Sequence, residues 1–126
     1  MSNYTKVNYM DIEPGNPDGP VQLRFTRKLL GSKDLGVSYV KYVPDFVSKN
    51  AHSHVEQEEV YVVINGGGKA LLDGKVEELK KWDVLRVAPE TVRSFSSGPE
   101  GLEMIIAGGP KPEGGDGQRA KQDWPE

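Results

Sequence analysis

The chain has 126 residues, 36% apolar and 28% charged, with 16 Lys and Arg against 19 Asp and Glu and a formal net charge of -3. That length fits one hydrophobic core able to fold without disulfide or metal staples, so a single domain over residues 1–126 is expected, with its core at about 21–107 and a polar tail at 108–126. Basic residues interleaved with acids do not give the clustered positive charge that nucleic acid requires. The absence of Cys excludes disulfide frameworks, zinc ribbons and thiol catalysis, and no signal-like segment or 18-residue apolar run points to a membrane. A cytoplasmic protein with no nucleic-acid and no membrane partner is the expectation.

Asp11–Pro20 is rich in Pro and Gly and reads as loop. Val21, Leu23 and Phe25 then alternate with Gln22, Arg24 and Thr26, which predicts a half-buried strand with those three apolar side chains on one face. Val37–Val43 is β-branched and aromatic, a second strand. Glu59–Ile64 is a third, closed by Asn65-Gly66 as a tight turn. Gly66-Gly67-Gly68 lacks the Lys-Ser/Thr and the following helix of a phosphate loop and reads as turn. Lys69–Leu72 and Val76–Lys80 form a hairpin about Asp73-Gly74. Val84–Val87 follows, Pro89 interrupts, and Val92–Ser96 and Leu102–Ala107 are two further strands joined by Gly98-Pro99 and Gly101. Gly108–Glu126 is polar and reads as loop, with Trp124 a candidate anchor back onto the body. No helical period survives over ten residues, so the pattern predicts an all-β antiparallel sandwich or barrel.

The two histidines of the chain are His52 and His54. In an extended strand both imidazoles leave the same face, about 6–7 Å apart, a spacing that suits one metal ion. A carboxylate is within reach at Glu56, Glu58 or Glu59. The run from His52-Ser53-His54 through Glu59 to Gly66 resembles the first motif of the cupin superfamily, H-x-H, three or four residues, E, six residues, G. Phe46 stands where that motif opens with Gly. The second motif maps only as a hydrophobic frame over Trp82–Ser97: Trp82, Ala88, Glu90, Arg93 and Ser97 stand where the family has Gly, Pro, Gly, the third His ligand and Asn.

The resemblance implies a single antiparallel β-barrel or jelly roll of the cupin type, a homodimer, and His52, His54 and Glu59 as metal-ligand positions. Two imidazoles and one carboxylate suit a divalent ion such as Fe, Mn, Ni or Zn; no other cofactor is implied. Arg93 cannot ligate, since a guanidinium has no lone pair to give. If Glu59 and Arg93 point inward, alternation sends Tyr61, Val63 and Phe95 inward with them, which makes Arg93 and Tyr61 the candidate catalytic residues. The leading expectation is a metal-dependent enzyme acting on a small anionic organic substrate that Arg93 orients, its reaction open among oxygenation, isomerisation and elimination. The alternative is a non-catalytic small-molecule-binding protein in which Arg93, paired with Glu59, replaces the metal.

Overall fold

The computed structural model describes residues 3–112 and 114–125. Eight strands, β1 (Val21–Arg24), β2 (Gly36–Tyr42), β3 (Ala51–His54), β4 (Glu59–Leu72), β5 (Lys75–Lys80), β6 (Val84–Val87), β7 (Arg93–Gly108) and β8 (Gly117–Ala120), form one curled antiparallel sheet. The 16-residue β7 is its spine. Its C-terminal half pairs with β2 on one edge and with the first half of β4 on the other, while its N-terminal half pairs with the second half of β4. β3 joins that spine at a single register pair, His52 opposite Arg93, and is flanked on its other edge by β8. No described helix is long and apolar enough to cross a membrane.

The all-β reading holds, but several local boundaries do not. Asn65-Gly66 is no hairpin turn: β4 runs on through it to Leu72, with Gly66 at φ 68° and two register shifts against β7 between Val63 and Gly68. A dipeptide that tolerates positive φ serves a β-bulge as well as a turn. Likewise, Gly98-Pro99 and Gly101 lie within β7 and do not separate two strands. These irregularities let two strands of 14 and 16 residues bend into a curl. Asp73-Gly74 does turn the chain, with φ 48° and 83°, and sets Leu72 opposite Lys75.

At the first strand the apolar alternation overreaches. β1 stops at Arg24, and the next residues wind into a short helical turn, α1 (Arg27–Leu30), leaving Phe25 64% exposed and not on the buried face. The polar tail differs most from expectation. Its β8 pairs with all four residues of β3, and Gln122 Nε2 donates to Leu71 O (2.8 Å) and Ser94 Oγ (3.0 Å), while Trp124, the candidate anchor, does reach back, its Nε1 donating to Ser48 O (2.9 Å). The tail thus reaches the backbone of Leu71, which, like its neighbour Ala70 on the opposite face of β4, is fully buried.

The core gathers Val40, Tyr61, Val63, Phe95, Leu102 and Met104 inside the curl. Tyr61 stacks on Phe95 with ring centroids 4.7 Å apart, so the inward set expected from Glu59 and Arg93 is the set the fold buries. Deleting a core side chain the size of Met104 costs about 2–5 kcal/mol.

Candidate metal centre and its cavity

β3 is short and extended, so His52 and His54 leave the same face. Their rings lean together to a centroid separation of 5.2 Å, nearly perpendicular, closer than an ideal strand sets them. Glu59 opens β4 directly across. Its Oε1 lies 3.6 Å from His52 Nε2 and 3.3 Å from His54 Nε2, and one donor atom from each of the three residues falls within 4.8 Å of the others. Of the three carboxylates within sequence reach, Glu59 is the one that converges; Glu56 and Glu58 are exposed, and Glu58 pairs with Arg86.

Four groups surround that carboxylate oxygen. Tyr61 Oη donates to it at 2.6 Å, and Arg93 Nε stands at 3.9 Å. Burial would push the Glu59 carboxyl up, but His52, Tyr61 and His54 more than offset it and hold it below its ordinary value, so it is ionised at neutral pH. Burial, reinforced by the neighbouring Glu59 charge, drives the Tyr61 phenol well above its ordinary value, so Tyr61 keeps its proton and remains a donor. Arg93 is fully buried; its Nη2 donates to Ala88 O (2.9 Å) and its Nη1 to Pro89 O (3.4 Å), while Nε finds no partner among the described residues.

Asp116 completes the group from the tail. Its Oδ1 accepts from His54 Nδ1 at 2.8 Å, and its Oδ2 accepts from the backbone N–H groups of Glu56 (2.6 Å) and Gln57 (2.9 Å). Desolvation opposes ionisation there, yet these two N–H groups and His54 hold the carboxyl down to about 2. An ionised Asp116 can only accept, so the proton between them sits on His54 Nδ1, and it is the Nδ1–H tautomer, with its lone pair on Nε2, that this contact selects for a neutral ring. That Nε2 is buried and has no hydrogen-bond partner among the described residues. Two ligands each about 2.1 Å from an ion, at right angles or tetrahedral, stand about 3.0–3.4 Å apart. The 3.3 Å between His54 Nε2 and Glu59 Oε1 and the orphaned Nε2 therefore fit a divalent cation, with His52 Nε2, at 3.6 Å, about 0.2 Å beyond that range.

The three residues sit at the edge of a cavity of about 690 Å³. Leu23, Phe25, Tyr61 and Ile106 give it apolar walls, and Arg27, Lys28 and Lys111 also line it, against Glu59 as the acid among the described lining residues. Arg93 is not part of this lining. Sequence reading missed Asp116 and the three lining cations. A lone Asp in a Gly-rich tail carries no local signal, and nothing in the residues around Arg27 says that a helical turn will aim them at a cavity.

No family model matches the chain, and no curated protein does. Solved structures do. A cupin protein from Bacteroides fragilis aligns over 100% of this chain and 91% of its own, with 22% identity and a TM-score of 0.71. The nucleoside dehydratase Pac13, from Streptomyces, aligns over 93% and 91%, with 18% identity and a TM-score of 0.75. The polyketide cyclase RemF of Streptomyces resistomycificus aligns over 97% and 87%, with 16% identity and a TM-score of 0.74. The chain has the cupin fold.

Proposed function

We propose that this protein is a metal-dependent enzyme acting on a small anionic organic substrate, with His52, His54 and Glu59 holding a divalent ion such as Fe, Mn, Ni or Zn. One observation carries the reading: a buried imidazole nitrogen without a partner, its tautomer set by Asp116, faces an ionised carboxylate oxygen at the edge of a cavity large enough for a metabolite. Bound there, an ion supplies Lewis acidity toward a substrate oxygen. The chain's own part is positional. Tyr61 and Arg93 hold Glu59 from behind, Asp116 holds His54, and the apolar walls limit water at the reacting end. Arg93, with its terminal nitrogens on backbone carbonyls, acts in this reading on Glu59 and not on substrate. Neighbours of the same fold named for dehydration and cyclisation chemistry support an enzyme. A homodimer belongs to the reading through the cupin likeness.

Calorimetric titration of untagged protein with Mn(II) is expected to give one site per chain, lost in His54→Ala. Absence of binding by Mn(II), Fe(II), Ni(II) and Zn(II) alike sinks the reading. A second reading, a metal-free binding protein, is favoured by Arg93 Nε beside Glu59, which places a positive charge against the carboxylate without any ion. In that case the titration is silent while small acids still bind.

A further inference from the structure

Arg27 is built into the cavity wall. α1 opens with it, and its side chain crosses the sheet over Gly36, the first residue of β2, which pairs with Gly108 at the end of β7. A Cβ at Gly36 would stand 2.6 Å from Arg27 Nη2 and 2.8 Å from its Nε, so the guanidinium occupies the space that the missing side chain leaves. Its Nη2 donates to Gly109 O (2.9 Å) and its Nη1, at the limit of hydrogen-bond length, to Lys33 O (3.4 Å). These two contacts fix its plane. A guanidinium has five N–H groups, and the other three find no acceptor among the described residues. Lys28 and Lys111 line the same cavity, and neither makes an ion pair among the described residues. Three cations thus border a space walled by Leu23, Phe25 and Ile106 whose lining, among the described residues, has one acid, Glu59, already surrounded by its own partners.

A tethered guanidinium with spare donors beside apolar walls recognises a planar or tetrahedral oxyanion in bidentate fashion. Resting on the reading of this cavity as the substrate site, we propose that Arg27, assisted by Lys28 and Lys111, is the receptor for the substrate's anionic group, and that the substrate is an organic acid, a carboxylate or phosphate ester, with an apolar body lying along Leu23, Phe25 and Ile106. The specificity residue is then Arg27 and not Arg93.

Benzoate, phenyl phosphate and the neutral benzyl alcohol serve as probes in calorimetry or saturation-transfer NMR. One or both acids should bind at least ~10-fold more tightly than benzyl alcohol, and Arg27→Gln should remove that preference. Gly36→Ala is the independent variant. The three atoms nearest its new methyl group all belong to the far end of the Arg27 side chain, so the sheet is kept while the guanidinium is displaced, and it should weaken acid binding by a similar factor. Equal binding of acids and alcohol, no acid binding at 10 mM (about −2.7 kcal/mol), or acid affinities within twofold of wild type in both variants overturns the proposal. A parallel Mn(II) titration of the wild type separates the two readings. Acid binding that depends on Arg27 without Mn(II) binding removes the metal and keeps this site; Mn(II) binding without acid preference does the reverse.

Discussion

His54 holds its two ring nitrogens in opposite settings, one tied to Asp116 and the other bare beside Glu59. The first setting fixes the second, because a carboxylate held down to about 2 cannot offer a proton at neutral pH. Asp116→Ala frees the ring to take either tautomer and to rotate, and is expected to weaken Mn(II) binding about 10- to 100-fold. Asp116→Asn, which keeps an acceptor for Nδ1–H, should recover part of that loss; calorimetry on the two variants checks the order. Arg93 was legible as an inward residue from its alternation with Phe95. Its partners were not, because Ala88 and Pro89 become acceptors only once the chain has turned at Pro89. Trp82 presents another departure readable in sequence. It stands where the cupin motif has Gly and adopts φ 75°, a left-handed conformation that costs a bulky residue about 1–2 kcal/mol.

Strands whose side chains alternate between core and solvent are legible, since burial writes period two into the residues. Where pairing rests on backbone alone, that signal vanishes. β8, Gly-Gln-Arg-Ala, has no apolar face, yet it pairs along the whole of β3. The same limit explains the bulges, since Asn65-Gly66 reads alike as bend or hairpin until β7 is known to run beside it. Glu103 illustrates how these elements are tied. From β7 it accepts from the Tyr39 hydroxyl of β2 and, at 2.7 Å, from the Asn65 amide at the β4 bulge. The bond from Tyr39 leads the causes that hold its pKa below the ordinary 4.5. The folded state therefore binds fewer protons at this group than the unfolded state. Stability from Glu103 is complete above about pH 4.5 and is lost as pH falls through the depressed value. Glu103→Gln should flatten the dependence of unfolding free energy on pH below about 4.5, measured in urea. An unchanged slope would mean that the bond contributes no linkage.

Taken as a whole molecule, the curled sheet has two closures of different kinds. β4 and β7 close through buried apolar contacts, while β3 closes through one register pair with β7 and through the returning tail. A chain ending at Gly115 loses β8, the Gln122 bonds to Leu71 and Ser94 and the Trp124 bond to Ser48. With each net hydrogen bond worth about 0.5–1.5 kcal/mol, it should be less stable by at least about 2 kcal/mol, read as a lower urea midpoint. It should also lose Mn(II) affinity, because His54 has lost its carboxylate. Full Mn(II) affinity in the shortened chain would show that β3 is ordered without the tail. The 62-residue separation of His54 from Asp116 also has a meaning in time. At about 5–20 residues per second of synthesis, roughly 3–12 s pass between the emergence of the imidazole and that of its carboxylate. Throughout that interval the nascent chain carries both histidines without the group that orients one of them, so in the proposed metal-binding reading translation itself schedules when the site acquires its full affinity for an ion.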